Sequence, residues 1–365
     1  MVVKQIELQN FRNYDRLCLP LHEGINILYG DNAQGKTNIL EAIYLCGTTK
    51  SHKGSKDREL IQLGENEAHI RMKLEKSSIP HRIDMHLKKN KAKGVAIDGI
   101  PIRKSAELFG MLHIVFFSPE DLSMIKNGPA ERRRFLDLEL CQLNKLYLRY
   151  LADYNKALNQ RNNLLKQIGL KRELLDTIDI WDSKLLEYGE QLIQCRRAFI
   201  AQLNELLPQV HNKLSGGRES LLLKYEPNVE QELFPMRLRE QRDRDIATKM
   251  TNCGPHRDDI SFSINREDAK RYGSQGQQRT AALSLKLAEL ELVRETIKEK
   301  PILLLDDVLS ELDRKRQTQL LNSIEDLQTI ITCTGLEEFV DDREKYNHIY
   351  HVINGTVILA QNKQS

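Results

Sequence analysis

Long apolar runs are absent from this chain of 365 residues. No window approaches the roughly 18 consecutive apolar residues of a transmembrane helix, so we expect no membrane span and no membrane partner. The first residues alternate apolar and polar side chains and lack a basic region followed by an apolar run, so we expect no signal peptide. Both absences favour a cytoplasmic protein.

Closely spaced cysteines are also absent, because no CxxC pair occurs in the chain. Without such pairs we expect reduced, mostly buried thiols, and neither a zinc site nor a disulfide framework. The cysteines are Cys18, Cys46, Cys141, Cys195, Cys253 and Cys333.

An excess of charge of one sign is missing too. The 55 basic and 52 acidic residues leave a formal net charge of +3. Net charge therefore neither demands nor excludes a polyanionic partner, and only local clusters can indicate one. The chain also has no internal repeat and no low-complexity segment.

Hydrophobic periodicity divides the chain into three stretches. Strand-like alternation runs to about residue 118, and apolar residues at three- and four-residue steps predict long helices between about 131 and 208. Strand patterns return from about 250 and end in an expected hairpin that turns at Asn354-Gly355. We therefore predict a discontinuous α/β domain of residues 1–118 and 248–365, with a helical lobe, residues 119–247, inserted in it.

Residues 30–37 read GDNAQGKT, which matches the P-loop pattern GxxxxGK[ST]. An expected strand precedes them and an expected helix follows, which is the context that a P-loop requires. The loop amides and the helix N-terminus would face the phosphates of ATP. Lys36 would contact the β- and γ-phosphates and Thr37 would ligate Mg²⁺. The predicted ATP contacts of the loop are Gly30, Asp31, Asn32, Ala33, Gln34, Gly35, Lys36 and Thr37.

A P-loop needs a second metal carboxylate at the end of a nearby strand. The segment 302–307 reads ILLLDD, an apolar strand that ends in two carboxylates. Asp306 is the expected Mg²⁺ ligand, and Asp307 is the candidate general base or water-orienting residue. The alternative is that Asp307 only caps the next turn. Residues 310–313 follow at once and match the D-loop position of ABC-type ATPases.

Two segments compete for the signature motif of an ABC-type head. Residues 214–217 spell LSGG, but about 85 residues separate Gly217 from the metal strand at Ile302. In such heads the signature begins the one helix that leads into this strand. LSGG therefore fits better as a Gly-Gly turn into a hairpin strand.

The segment that begins with Ser274 opens the helix that ends just before the metal strand. Ser274 can cap this helix and offer its hydroxyl to a γ-phosphate, and Gly276 permits close backbone approach. In this class of head the signature completes the site of a second subunit, so we expect an ATP-bridged homodimer that hydrolysis releases. The predicted ATP contacts here are Ser274, Gln275, Gly276 and Gln277.

Taken together, these motifs resemble the RecF family of bacterial recombination mediators, which are short relatives of SMC-type heads. The resemblance covers essentially the whole chain. Besides the ATPase motifs, the matching segments are residues 6–14 (IELQNFRNY), 117–122 (FSPEDL), 132–137 (RRRFLD), 254–259 (GPHRDD) and 305–313 (LDDVLSELD).

The resemblance implies an ABC-type (SMC-like) P-loop ATPase head, formed by both chain ends, with a compact helical lobe. It also implies weak, DNA-stimulated ATPase activity and binding of double-stranded DNA, including gapped or junction DNA. It further implies work with RecR and RecO in loading RecA at single-strand gaps. The position of a transporter's switch histidine reads Thr332-Cys333-Thr334 here, which leaves γ-phosphate sensing to a hydroxyl and suits slow turnover.

Local basic clusters are the candidates for DNA phosphate contacts. One follows the P-loop helix, a second lies at an expected basic turn between residues 88 and 94, and Arg132 to Arg134 form a third. A solvated surface is the alternative for each cluster, and ion pairs with Glu131, Asp137 and Glu139 within one helix are the alternative for the third. The candidates of the first two clusters are Lys50, His52, Lys53, Lys56, Lys88, Lys89, Lys91 and Lys93.

The sequence leaves the roles of several residues, and two competing functions, open. Arg12 is a candidate nucleotide contact, with a surface ion pair to Asp15 as the alternative. His256 is either catalytic or, as we favour, a residue that fixes its neighbouring strand. We expect the Leu and Tyr stripe at 143–158 and Trp181 to pack in the helical lobe. The competing functions are the ATPase subunit of a transporter and a structural SMC-like DNA tether.

Overall fold

The computed structural model describes residues 1–122, 124–168, 172–336 and 348–362. The chain forms two compact units, one of Met1–Asp121 with Glu289–Ser365 and one of Leu122–Ala288. The first division lies close to the expected boundary at 118. The second does not fall at 248, because the strand that follows that point pairs within the second unit.

Strands and helices agree with the periodicity of the sequence. In chain order the strands are β1 (Val2–Phe11), β2 (Tyr14–Pro20), β3 (Ile25–Tyr29), β4 (Glu67–Lys76), β5 (Ile79–Lys88), β6 (Lys91–Ile97), β7 (Ile100–Pro101), β8 (Ile114–Phe117), β9 (Leu221–Glu226), β10 (Asp259–Ile264), β11 (Glu267–Asp268), β12 (Ile302–Asp306), β13 (Thr329–Cys333), β14 (His348–Ile353) and β15 (Thr356–Asn362). The helices are α1 (Lys36–Thr48), α2 (Asp57–Leu60), α3 (Pro119–Leu122), α4 (Pro129–Leu143), α5 (Lys145–Ile168), α6 (Ile178–Ser215), α7 (Phe234–Glu240), α8 (Arg242–Thr248), α9 (Gln275–Ile297) and α10 (Arg314–Ser323).

The first unit contains two sheets. One is antiparallel, in the order β2-β1-β4-β5-β6-β7. The alternation of β4 buries Ala68, Ile70, Met72 and Leu74 and turns the residues between them outward. This sheet therefore has one core face and one face toward solvent.

The other sheet of the first unit carries the predicted phosphate site. Its order is β15-β14-β3-β13-β12-β8, and the pairs β14-β3, β3-β13, β13-β12 and β12-β8 are parallel. Each residue of β12 and β13 is buried, which explains their continuous apolar sequences. Because the strands are parallel, the loop after β3 and the carboxylates after β12 lie at the same edge of the sheet.

The second unit is mainly helical, as predicted, with long helices α5 and α6 of 24 and 38 residues. In the stripe of α5, Tyr147 and Tyr154 are buried, but Leu146 is 58% exposed and is not a core residue. Trp181 is half-buried on α6. The antiparallel sheet β11-β10-β9 completes the unit.

Buried arginines join the helices of the second unit to β10 and the loop before it. Arg196 of α6, 2% exposed, donates to Asp258 and Asp137, each at 2.8 Å. Arg132 of α4 donates to both carboxylate oxygens of Asp259, at 2.6 and 2.9 Å. The alternative that Arg132 pairs within its own helix is wrong, because its carboxylate partner, Asp259, lies on β10.

Arg133 is also turned toward this loop, since its Nη1 donates to the Asp258 carbonyl oxygen at 2.7 Å. The sequence RRR at 132–134 therefore places two of its three side chains at β10 and not on a solvent-facing DNA surface.

The structure also bears on the expectations about membrane helices and cysteines. None of the helices among the described residues is long and apolar enough to cross a membrane. Four of the six cysteines, Cys46, Cys141, Cys253 and Cys333, are buried, as expected for most of them.

We predict that Arg196→Ala lowers the free energy of unfolding by about 3–5 kcal/mol, because it leaves the buried Asp258 carboxylate without its charge partner. The matched control is Arg197→Ala, since Arg197 pairs with Glu230 at the surface. That change should cost less than about 1 kcal/mol. Urea denaturation followed by circular dichroism measures both, and equal losses would contradict the assignment.

Candidate functional site

The P-loop leaves β3 and enters α1 in the conformation that its glycines require. Gly30 and Gly35 have φ of 147° and 114°, values that L side chains rarely adopt. Gly35 occupies the N-cap of α1, and among the described residues no side chain caps this helix. Asn38 N donates to the Gly35 carbonyl oxygen at 2.9 Å, so the amides before it are the ones that the helix N-terminus can offer to an anion.

Lys36 begins α1 and folds back over the loop. Its Nζ donates to the carbonyl oxygens of Gly30 and Asp31, the second at 2.7 Å. Burial lowers the pKa of Lys36 from its ordinary value, although the neighbouring Asp307 carboxylate opposes this effect. Its hydrogen-bond partners are neutral, so its positive charge is available to a phosphate.

The two predicted metal ligands lie in direct contact. Thr37 Oγ1 donates to Asp306 Oδ1 at 2.7 Å, which joins the P-loop helix to the end of β12. Thr332 of the neighbouring strand β13 donates to the same oxygen at 2.8 Å. A hydroxyl and a carboxylate this close are hard oxygen donors of the kind that Mg²⁺ prefers, so the residues present fit that ion.

Asp307 combines a strained backbone conformation with a buried carboxylate oxygen. Its φ is 54°, in the left-handed region, and its N–H donates to Thr332 Oγ1 at 3.0 Å. Its Oδ1 is buried and has no hydrogen-bond partner among the described residues. Burial raises the pKa of Asp307, against the opposing charge of Lys36.

The alternative role of Asp307, as the cap of the next turn, does not fit the described structure. No side-chain cap is formed at the turn Leu309–Glu311 within the described structure, and α10 is capped instead by Asp313, whose side chain accepts from Arg316 N at 2.9 Å. A carboxylate whose pKa burial raises, next to the P-loop lysine, is compatible with the predicted role of a general base.

The serine-led segment at the start of α9 forms the predicted cap. Ser274 Oγ accepts from Gln277 N at 3.2 Å, and Gln277 Oε1 accepts from Ser274 N at 2.8 Å, which is a reciprocal capping box. Gly276 has open space where a Cβ would stand, since the nearest atom, Ser274 Oγ, is 4.0 Å away. The segment is thus a capped helix start with an open face.

LSGG takes the turn conformation expected from its position. Leu214 and Ser215 end α6, Gly216 follows with φ of 71°, and the chain then enters β9, which pairs with β10. Glu219, just beyond the turn, accepts a hydrogen bond from Gln277 Nε2 at 3.0 Å. The turn that contains LSGG is therefore followed by a residue that contacts the start of α9, where the competing signature segment lies. The sequence held no signal for this contact.

Arg12 makes a buried ion pair that the sequence did not indicate. Its guanidinium donates to both carboxylate oxygens of Glu41 on α1, at 2.8 and 2.9 Å, and to Ser55 Oγ at 2.8 Å. The alternative of an ion pair with Asp15 is wrong, because Arg12 pairs with Glu41 and Asp15 hydrogen-bonds Gln62. A nucleotide contact of Arg12 stays a prediction.

Gln34 of the P-loop is held from two sides by residues that sequence reasoning missed. Asn13 Nδ2 donates to the Gln34 carbonyl oxygen at 2.9 Å. The backbone N–H of Asn354, in the predicted hairpin turn, donates to Gln34 Oε1 at 2.6 Å. The Asn-Gly pair indicated the turn, but nothing in the sequence indicated that it lies against the P-loop.

The two lysine clusters of the first unit lie on one surface, because Lys93 joins them. Lys93 Nζ, on β6, donates to Asp57 Oδ1 at 2.9 Å and to the Thr49 carbonyl oxygen. Lys88 pairs with Glu67 at 3.3 Å. The exposed lysines of this surface are Lys50, Lys53, Lys56, Lys89 and Lys91.

Three members of the expected clusters, His52, Lys88 and Lys93, do not belong to that exposed set. Lys93 is neutralised by Asp57, and the ring of His52 packs on Phe116 with centroids 4.3 Å apart. Burial lowers the pKa of His52 to about 4, so it is neutral at physiological pH. The basic turn is also shorter than expected, since β5 ends at Lys88 and β6 begins at Lys91.

His256 has both ring nitrogens engaged. Nδ1 lies 2.7 Å from Tyr154 Oη and Nε2 lies 3.0 Å from the Thr251 carbonyl oxygen. Burial lowers its pKa to about 4. These contacts fit the positioning role that we favoured from the sequence.

Comparison with known proteins gives a consistent result. Residues 2–357 match the model of the RecF/RecN/SMC N terminal domain. The chain is 65% identical over 357 residues to the DNA replication and repair protein RecF of Lachnoclostridium phytofermentans, which covers 98% of this chain and 99% of the relative.

Solved structures agree with the sequence comparison. A structure of the recombination mediator protein RecF with ATP, in the RecFOR pathway, matches with a TM-score of 0.92 at 36% identity and covers 99% of this chain and 98% of the other. An Smc head domain from Pyrococcus furiosus matches with a TM-score of 0.56 at 16% identity, covering 98% and 96%, and this likeness concerns the fold alone.

We predict opposite stability effects for alanine at two glycines of the site. A Cβ at Gly30 would stand 2.4 Å from the Val352 carbonyl oxygen, so Gly30→Ala should lower the free energy of unfolding by about 1–3 kcal/mol. Gly276→Ala meets open space in a helix and should leave stability unchanged or raise it by up to about 1 kcal/mol. Thermal unfolding compares them, and a loss for Gly276→Ala would contradict the open face.

Proposed function

Because the chain belongs to the RecF family of SMC-like ABC-type ATPases, we propose that it is an ATP-switched DNA-binding protein of recombinational gap repair. The observation that carries the proposal is the hydrogen bond between Thr37 and Asp306 beside Asp307 Oδ1, which has no hydrogen-bond partner among the described residues. The names of its relatives support the same reading, since one is called a DNA replication and repair protein and another was solved with ATP.

ATP hydrolysis follows from the groups at this edge of the sheet. Lys36 and the α1 amides bind the β- and γ-phosphates, and Thr37 and Asp306 hold Mg²⁺, which neutralises charge on the phosphate oxygens. Asp307 Oδ1 orients a water and accepts its proton as the water oxygen bonds to the γ-phosphorus. The bond to the β,γ-bridging oxygen breaks, and ADP and phosphate leave.

The capped start of α9 completes this site across a two-fold axis. Ser274 and its open neighbour Gly276 offer a hydroxyl and a helix N-terminus to the γ-phosphate that the other subunit holds. ATP then bridges a homodimer with two composite sites, and hydrolysis removes the group that joins the subunits. Turnover is slow, because the position of a switch histidine holds Thr332-Cys333-Thr334.

Ser274→Ala is expected to abolish ATP-dependent dimerisation, because it removes the hydroxyl that caps α9 and meets the phosphate. Ser215→Ala is the matched control from the LSGG turn and should dimerise like the parent protein. Asp307→Asn should dimerise but hydrolyse ATP at least about 100-fold more slowly. Light scattering with and without ATP measures the assembly. Loss of the dimer in Ser215→Ala and its survival in Ser274→Ala would overturn the proposal.

Double-stranded DNA is the proposed partner of the lysine surface. Its exposed lysines come from the loop after α1 and from the β5–β6 turn, and the Lys93–Asp57 ion pair fixes these two segments against each other. Lysines on such a surface neutralise phosphates without reading sequence. Gapped or junction DNA, RecR, and through it RecO and RecA, complete the proposed pathway, in keeping with the RecFOR pathway of the solved relative.

The double substitution Lys89→Glu, Lys91→Glu is expected to weaken duplex binding at least about tenfold and to reduce the slope of log affinity against log salt by about two. These side chains are exposed at the turn, so the fold should not change. The control is Lys224→Glu, an exposed lysine on β9 of the second unit. Fluorescence anisotropy with ATP at several salt concentrations measures both; an unchanged slope in the double variant would contradict the assignment.

A further inference from the structure

The solvent face of the antiparallel sheet carries a group of side chains that the ATPase site does not use. Glu67 and His69 are two residues apart on β4, so both point to the same face. His86 stands directly opposite His69 on β5, and Lys88 stands opposite Glu67. Strand geometry thus places a carboxylate and two imidazoles at three corners of one small patch.

The donor atoms of this patch lie almost close enough to one another to coordinate a single ion. His86 Nε2 lies 3.0 Å from Glu67 Oε2, and His69 Nε2 lies 3.8 Å from Glu67 Oε1. The two rings stack with centroids 4.1 Å apart, and one donor atom from each residue lies within 4.8 Å of the others. Neighbouring ligands of a tetrahedral ion with bonds of about 2.0–2.1 Å stand about 3.3 Å apart.

The patch also has an open side. His69 and His86 line a groove of about 900 Å³, which leaves room for a water or another ligand at a further position. All three side chains are half-buried.

We propose that Glu67, His69 and His86 form a binding site for Zn²⁺. Two imidazoles, one carboxylate and an open fourth position are a donor set that Zn²⁺ accepts in proteins, whereas Mg²⁺ prefers oxygen ligands alone. The donors are histidines and a glutamate, so the absence of paired cysteines has no bearing on this site. The site is independent of the P-loop and of the proposed ATP chemistry.

Lys88 is the built-in competitor for this site. Its Nζ lies 3.3 Å from Glu67 Oε2, so a metal ion must replace this ammonium as the counter-charge of the carboxylate. Removing the Lys88 charge should therefore strengthen metal binding, whereas removing a ligand should weaken it. This opposite response separates a coordination site from nonspecific binding by exposed acidic groups.

The experiment is a calorimetric titration of Zn²⁺ into the full-length, chelator-treated protein without an affinity tag. We expect one ion per chain, affinity reduced at least tenfold in His86→Ala and in Glu67→Gln, and affinity raised in Lys88→Met. Cys18→Ser, a thiol that lines the same groove, should not change the affinity. Circular dichroism checks that each variant is folded.

A second readout is the visible absorption of Co²⁺ in the same site, which reports imidazole coordination directly. The parent protein should give a tetrahedral or five-coordinate spectrum that His69→Ala loses. The proposal is overturned if the parent binds no ion, if His86→Ala and Glu67→Gln bind as the parent does, or if Cys18→Ser alone removes binding.

Discussion

The hydrogen bond between Thr37 and Asp306 is the contact on which the site depends. It joins residues 269 positions apart in the chain, one at the start of α1 and one at the end of β12. Parallel pairing of β3, β13 and β12 brings their carboxyl ends to the same edge of the sheet. The Thr37 hydroxyl of the P-loop and the Asp306 carboxylate, the two proposed metal ligands, are thereby placed 2.7 Å apart.

Further contacts keep the loop in place around this pair. Gln34 is held by Asn13 and by the hairpin turn at Asn354, so the strands at both chain ends support the P-loop. Arg12 pairs with the fully buried Glu41 on α1 and fixes the helix that carries Lys36 and Thr37. The positive φ of Asp307 persists because Thr332 holds its amide and binds Asp306 as well.

Patterns of neighbouring residues predicted the secondary structure and the P-loop better than the letters of any single motif did. The P-loop, β12 with its two carboxylates and the Asn-Gly hairpin were predictable because each rests on neighbouring residues. LSGG takes the turn conformation that its position predicted, and Glu219, just beyond it, accepts a hydrogen bond from Gln277 at the start of the serine-led helix. The stripe on α5 failed at Leu146, because helical spacing does not say how far the buried face extends.

Contacts between residues far apart in sequence were not predictable. The partners of Arg132 and Arg12 come from other elements, and the alternatives left open from the sequence, which paired each arginine with carboxylates near it in the chain, were wrong. For the same reason the sequence placed residues 248–288 with the chain ends, although β10 pairs with β9 and its loop binds Arg196. The sequence indicated Lys93 as a basic surface residue, but in the structure it forms an ion pair with Asp57.

The central claim is that one subunit's P-loop works with the serine-led helix of another. A mixture of Lys36→Ala and Ser274→Ala proteins tests it most directly, because a mixed dimer contains one composite site with both an intact P-loop and an intact Ser274. The account predicts that each variant alone lacks ATP hydrolysis and that the mixture regains it. A mixture as inactive as its components would contradict the account, since that result is expected if Ser274 serves the P-loop of its own chain.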